Sequence, residues 1–159
     1  MEKQLVLFEL GTKNYGVDVE SVVRIGAIPS SLQKPPSPQY IEGHYICHGC
    51  KMPVVDLHRW FGIYGHARTE DSRIMVTNLN GIKVGMIVSA VTDVVDVEET
   101  EIKLPTNRTS PKNREYVLGV TKINKQLVTL VDLGQVLTTD EKEQLSHYQI
   151  ETQVIELDR

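Results

Sequence analysis

Val54-Val55-Asp56-Leu57 recurs in the second half of the chain as Leu130-Val131-Asp132-Leu133, and in both copies the aspartate follows a glycine, Gly43 or Gly119, at the same distance. A second block repeats upstream of each: Tyr15-Gly16-Val17 with Ser21-Val22 matches Val84-Gly85-Met86 with Ala90-Val91, at the same internal spacing. The chain is an internal duplication. Its second half carries about seven extra residues between the blocks, and these fall in the Pro105 to Pro111 loop, where added length costs little. Each half reads as two hairpins and a short helical turn, the makings of a small β-barrel, and the two barrels are expected to pack together. A single domain over 1–159 is expected, with a first barrel half at about 4–65, a second at about 66–137, and a C-terminal helix and tail at 138–159. Such a repeat builds surfaces and a groove; it does not by itself specify chemistry.

The local patterns fit a mainly β protein with short helices. Leu5 to Leu10, Gly11-Thr12-Lys13-Asn14 and Tyr15 to Val19 read as strand, turn, strand. After the Asn80-Gly81 turn, Ile82, Val84, Met86 and Val88 alternate with Lys83, Gly85, Ile87 and Ser89, the two-residue period of a half-buried strand. Asp18 before Val19, Val22 and Val23 predicts one or two helical turns. Asp56 before Leu57-His58-Arg59-Trp60-Phe61, with Gly62 behind, reads as cap, short helix and stop. Thr138 with Glu141 is a capping box that predicts a helix through about Ser146, and Ile150, Thr152 and Val154 beyond it alternate like a strand but also suit a helix.

Composition narrows the function. Hydrophobic residues make up 40% and charged residues 24% of the 159, an ordinary globular mix that excludes a disordered chain. Seventeen Lys and Arg against 21 Asp and Glu give a net charge of -4, which argues against nucleic acid as a partner. No apolar run approaches the roughly 18 residues of a membrane span, and Met1-Glu2-Lys3-Gln4 leads into a strand-like run and not a signal peptide. With two cysteines only, Cys47 and Cys50, the reading is a cytoplasmic chain without a disulfide framework and without membrane insertion.

Three constellations invite chemistry. His44, Cys47, His48 and Cys50, with His58 beyond, are the residue types zinc prefers. A structural site needs a second ligand pair, however, and the repeat counterpart, Gly119 to Gln126, carries no ligand. A small apolar Cys47 toward the core and Cys50 near the turn is the simpler reading, with no metal and no cofactor expected. A thioredoxin-like redox pair would open a helix, whereas this one opens a strand. Asp56 and Asp132 form a symmetric pair that resembles an acid and base, but each stands where a strand enters a helical turn, so capping accounts for both. No nucleophile elbow, phosphate loop or dinucleotide signature occurs, and no enzyme is expected. Asp93, Asp96, Glu98, Glu99 and Glu101 lack the spacing of a calcium loop and read as a solvated face. Gln33-Lys34-Pro35-Pro36-Ser37-Pro38 reads as a stiff connector that positions Gly43.

Taken in order, Leu10-Gly11, Tyr15-Gly16-Val17-Asp18-Val19, Val22-Val23-Arg24-Ile25, Ile41-Glu42-Gly43, Met52-Pro53-Val54-Val55-Asp56-Leu57 and Phe61-Gly62 resemble the CheW-type chemotaxis coupling proteins. Val84-Gly85-Met86-Ile87-Val88, Ala90-Val91-Thr92-Asp93-Val94 and Tyr116-Val117-Leu118-Gly119-Val120 continue the resemblance, which covers roughly residues 4 to 137. It implies two small SH3-like β-barrel subdomains and a non-enzymatic adaptor that couples transmembrane chemoreceptors to the histidine kinase CheA. The implied partners are the kinase's regulatory domain and the cytoplasmic tip of methyl-accepting receptors, at membrane-associated receptor arrays. By motif position the binding surface would involve Val22, Arg24, Gly43, Ile46, His48 and Gly49. Where family members commonly carry Asn-Leu-Arg-Gly, this chain has Ile46-Cys47-His48-Gly49, replacing a permanently charged donor fork with an imidazole. That departure leaves two alternatives open: a diverged coupling scaffold in another receptor-kinase pathway, or a metal- or redox-responsive variant acting through Cys47 and Cys50.

Overall fold

The computed structural model describes residues 1–29, 41–47, 50–65, 67–104 and 116–145, with residues 44–47, 50 and 51 as backbone. The Gln33 to Pro38 connector, the Pro105 to Pro111 insertion and the tail from Ser146 onward lie outside these residues. Among the described residues ten strands follow one another: β1 (Glu2–Leu10), β2 (Lys13–Asp18), β3 (Val22–Ala27), β4 (Ile41–Cys47), β5 (Cys50–Asp56), β6 (Arg73–Leu79), β7 (Ile82–Val88), β8 (Ala90–Glu98), β9 (Val117–Ile123) and β10 (Gln126–Val131). Short 3-10 turns at Val19–Ser21, Leu57–Phe61 and Glu99–Glu101 interrupt them, and α1 (Leu133–Val136) and α2 (residues 139–145) follow β10.

The strands form two five-stranded sheets, in the orders β8-β1-β2-β10-β9 and β3-β6-β7-β5-β4. Each curls around its own apolar interior as a small SH3-like barrel. The sheets do not follow the expected halves at 4–65 and 66–137. One is built from the continuous stretch β3 to β7, and the other is split by it into β1–β2 before and β8–β10 after. The duplication exchanges its hairpins. β10 joins β2 in parallel with Leu130 opposite Gly16, and β5 joins β7 in parallel with Val54 opposite Gly85. These two pairings are the same contact in repeat numbering.

The exchange leaves three apolar clusters. Leu5, Leu7, Val97, Val128 and Leu130 fill the split barrel, and Met52, Val54, Ile74, Val76 and Ile87 fill the continuous one. A larger cluster lies between the barrels, with Val6, Phe8, Leu10, Tyr15 and Val17 from one sheet and Val55, Met75, Val84, Met86 and Val88 from the other. Strands at this seam are apolar on both faces, so β7 is not the half-buried strand expected from its alternation. Its Val84, Met86 and Val88 face the seam, while Ile87, 1% exposed, faces the barrel interior.

Local chemistry sets the connections much as expected. Asn80 (φ 56°) and Gly81 (φ 95°) form the left-handed hairpin turn between β6 and β7. Asp18 caps a single 3-10 turn by accepting from the Glu20 N–H, shorter than the expected helix because Val22 already pairs with Thr77 in β3. The Thr138 and Glu141 capping box is reciprocal, with the Thr138 N–H donating to Glu141 Oε1 (2.8 Å) and the Glu141 N–H to Thr138 Oγ1 (3.1 Å).

The repeated glycines answer to space. A Cβ on Gly119 would stand 2.7 Å from Ile102 Cγ2 and 2.9 Å from the Lys103 carbonyl oxygen, where Lys103 bridges to Val120. On Gly85 it would meet Ile74 Cγ2 at 3.0 Å and Val54 Cγ2 at 3.2 Å, and on Gly16 nothing closer than 3.4 Å. Alanine scanning in urea should rank them accordingly. Gly119→Ala should lose about 1–3 kcal/mol because backbone must move, Gly85→Ala less, and Gly16→Ala should be near neutral. A flat series would contradict this account of the barrel interiors.

Candidate functional site

At the seam a polar chain ties the barrels together. Asp56 ends β5 and caps the turn after it, accepting the His58 N–H at 3.1 Å, and its Oδ1 also lies 2.6 Å from His58 Nδ1. The other ring nitrogen, Nε2, is 2.7 Å from Ser89 Oγ, which accepts the Gly11 N–H at 3.0 Å. One tautomer satisfies every group: Gly11 N–H to Ser89 oxygen, Ser89 O–H to Nε2, and Nδ1–H to the Asp56 carboxylate. His58 is 7% exposed, so these bonds stand in for water. The connectivity is that of a serine, histidine and aspartate relay. Here the serine oxygen already holds a backbone donor, and the three residues join the β1–β2 turn, the β7–β8 crossover and the end of β5. It is a clasp. His58, grouped with possible zinc ligands in the sequence, belongs to this clasp.

Asp132 repeats the cap of Asp56, accepting from the Gly134 N–H at 3.0 Å, but with glycine two positions on there is no second ring to bind. Both aspartates are caps, as expected. Beside the clasp, aromatic rings bridge the seam: Tyr15 meets Phe8 at 5.7 Å and Phe61 at 4.9 Å, and Phe61 meets Tyr116 at 5.0 Å. The Trp60 indole N–H donates to the Glu141 carboxylate at 3.2 Å, fastening α2 to the turn after β5. Burial raises the hydroxyl pKa of both Tyr15 and Tyr116 above the ordinary 10.0, and the neighbouring Tyr116 raises Tyr15 further.

The expected binding residues separate in this geometry. Val22 and Arg24 lie on β3 and Gly43 and Ile46 on β4, and these strands are the two ends of the continuous sheet. Val22 is half-buried and packs on the seam cluster. Gly43 is buried, next to a bulge between Ile41 and Gly43 opposite β5, so it shapes the strand and offers no surface group. Arg24 is exposed. Ile46 pairs with Lys51 and Cys47 with Cys50 along the β4–β5 backbone. The side chains of His44, Ile46, Cys47 and Cys50, and all of His48 and Gly49, lie outside what is described. The apolar groups that β3 presents to solvent are Val23 (53% exposed) and Ile25 (38%), which the motif comparison passed over. A bulge places Val23 out of register, with Val22 opposite Thr77 and Arg24 opposite Val76.

β8 is the repeat equivalent of β3 and carries the equivalent bulge, at Thr92, which is left over between Leu7 opposite Asp93 and Phe8 opposite Val91. Its side chains differ. Asp93 stands where β3 has Arg24, and Asp93, Asp96 and Glu98 are exposed, Asp96 and Glu98 on the outer face of the strand and Asp93 on the other.

A family profile described as the CheW-like domain matches residues 4–141. The chain belongs to the CheW-like family. It is 25% identical over 139 residues to the chemotaxis protein CheW of Klebsiella aerogenes, covering 87% of this chain and 84% of that one. Against the CheW of Rhizobium meliloti it is 26% identical over 141 residues, covering 89% and 91%. The crystal structure of the scaffolding protein TtCheW from Thermoanaerobacter tengcongensis superposes with a TM-score of 0.77 at 30% identity, covering 89% of this chain and 91% of that chain.

In this CheW-like chain the clasp should behave as one unit. Ser89→Ala strands His58 Nε2 and the Gly11 N–H, and should cost about 1–3 kcal/mol. His58→Ala combined with Ser89→Ala should cost much less than the sum of the singles, as a double-mutant cycle will show; additive losses would mean that the contacts act independently. The tyrosines give a pH dependence. Their folded pKa values are raised, so their contribution is complete below about pH 10 and is lost as pH rises through the folded values. Urea midpoints between about pH 9 and pH 11 should fall for the wild type, and fall less for Tyr116→Phe.

Proposed function

We propose that this chain is a non-enzymatic adaptor of bacterial chemotaxis signalling that couples transmembrane chemoreceptors to the histidine kinase CheA. The observation that carries this reading is the locked pair of barrels in a chain of the CheW-like family. A coupling protein must hold two docking surfaces in a constant relation, and the seam core, aromatic bridge and clasp do that without any group poised on a substrate. The partners are the regulatory domain of the kinase and the cytoplasmic tip of the receptor, in arrays beneath the membrane. No helix among the described residues is long and apolar enough to cross a membrane.

The binding surface is centred on β3. Val23 and Ile25 supply apolar area and Arg24 a positive charge, and the family resemblance adds Ile46, His48 and Gly49. This is the make-up of a modest reversible interface, apolar at its centre and polar at its rim. Where relatives commonly place arginine, His48 offers a smaller donor. That residue favours a second reading, a coupling scaffold tuned to a receptor class of its own. The metal or redox variant through Cys47 and Cys50 is separated by thiol titration with and without chelator.

Pull-downs with the kinase regulatory domain and a receptor signalling tip test the role directly, since a folded chain that binds neither is no coupler. Val23→Asp and Ile25→Asp should weaken binding at least about tenfold while leaving the melting curve in place, because a charge without a partner in the interface centre costs several kcal/mol. Val22→Glu should instead lower the melting temperature, since Val22 packs on the seam.

A further inference from the structure

The rows of side chains that point into the split barrel begin apolar and end polar. On β1 the inward row is Leu5, Leu7, Glu9; on β8, read from the other end, it is Val97, Val95, Asp93. On β10 it is Leu130, Val128, Gln126, and on β2 Asn14 follows Gly16. Four of the five strands thus bring a polar group to the same end of the barrel. They enclose a cleft of about 230 Å³ whose floor is Leu7, Ile123 and Val128 and whose rim carries Glu9, Asp93, Asn14 and Gln126. The bulge residue Thr92 and the turn residue Asn124 complete the wall. Asn124 (φ 52°) and Lys125 (φ 67°) both hold the left-handed conformation there, the second without the glycine such a turn favours.

The fold does not demand this chemistry. At the positions of the continuous barrel that are equivalent by the repeat, Asn78 stands for Glu9, Lys83 for Asn14 and Arg24 for Asp93. One barrel end is anionic and its twin is cationic. Asn14 Nδ2 donates to Gln126 Oε1 at 3.4 Å, and one oxygen of Asp93 accepts the Val94 N–H at 2.8 Å. Neither Glu9 nor Asp93 has an ion-pair partner among the described residues. An apolar floor below two carboxylates and two carboxamides suits a cation on an aliphatic stem, with methylenes on Leu7, Ile123 and Val128 and the charged head at the rim. The cleft falls below the roughly 300 Å³ at which drug-sized sites begin, so it accommodates a side chain more readily than a large metabolite.

We propose that the mouth of the split barrel binds an aliphatic ammonium or guanidinium group, supplied by a lysine or arginine side chain of a partner protein or by a free alkyl diamine. This site is separate from the β3 surface, and its occupancy does not depend on the coupling role.

Amide ¹H–¹⁵N spectra of the full chain, titrated with N-acetyl-lysine amide, N-acetyl-arginine amide and 1,5-diaminopentane, test it. The Nα-acetylated amides of norleucine and citrulline serve as neutral controls. The expected result is a saturable shift confined to residues around Asn14, Asp93, Asn124 and Gln126, absent with the neutral controls. It should weaken at least about tenfold in the Glu9→Gln, Asp93→Asn double variant. Unmoved resonances elsewhere establish that the variant is folded; if the pair fails to fold, Glu9→Gln alone is titrated. Tighter binding of the amino-acid amides assigns the site to a partner's side chain, and tighter binding of the diamine to a free amine. No shift with any cation, equal shifts with the neutral controls, or an unweakened variant would overturn the proposal.

Discussion

Everything in this molecule rests on the seam where a parallel strand pair crosses between the copies of the repeat. Leu130 against Gly16 and Val54 against Gly85 are one contact made twice. Because each copy lends its last hairpin to the other's sheet, neither half closes a barrel alone. Strands β1, β5, β6, β7 and β10 therefore carry buried apolar residues on both faces. One face fills a barrel and the other fills the seam. Phe8, Leu10, Val55, Met75, Val84 and Met86 are each fully buried there, and at about 1.5–3 kcal/mol per large apolar side chain the seam outweighs any polar contact in the structure. The barrels cannot separate without exposing it.

Features that depend on a few neighbouring residues were legible in the sequence. The Asn80-Gly81 turn, the caps at Asp18, Asp56 and Asp132, and the capping box at Thr138 are each decided by side chains bonding to backbone two or three positions away. Partnership between distant strands is a different kind of information. A two-residue period shows that a strand has two unlike faces, yet it cannot say which strand lies alongside or whether the second face is wet. Lys83 and Ser89 made β7 read as half-solvated, and Gly85 looked like a gap; the gap exists because Ile74 and Val54 already fill the space. The same ignorance of partners placed Val22 and Gly43 on a surface, when register against β6 and β5 turns one onto the seam and buries the other. The barrel mouth was illegible for the same reason. Glu9, Asn14, Asp93 and Gln126 meet only once four strands are in register.

The clasp shows how a duplicated fold becomes asymmetric. Asp56 and Asp132 perform the same capping task, so the task itself did not require His58. A histidine two positions after the first aspartate, against glycine after the second, extends that cap to Ser89 and Gly11 and adds a polar tie across the seam at one end only. A buried relay of this kind carries little net stability when complete and a large penalty when broken, and so it specifies one arrangement of the barrels more than it strengthens it.

The edge strands carry the same asymmetry to the surface. β3 and β8 descend from one ancestral strand and keep its bulge, at Val23 and Thr92. A bulge twists an edge away from simple strand addition, so both barrels are guarded against uncontrolled pairing. Beyond that they diverge. On β8 the exposed run holds three carboxylates, and the Asp93 side chain occupies the Val94 N–H that an incoming strand would need. On β3 the residues at the bulge are Val23, Arg24 and Ile25, where β8 has Thr92, Asp93 and Val94. Docking at β8 would require desolvating several like charges, whereas docking at β3 gains apolar area. A molecule whose twin edges were alike would assemble in either sense. With three carboxylates along one edge and two exposed apolar groups on the other, and with the barrels fixed by the seam, the two edges are unlike, and a partner suited to one is not suited to the other.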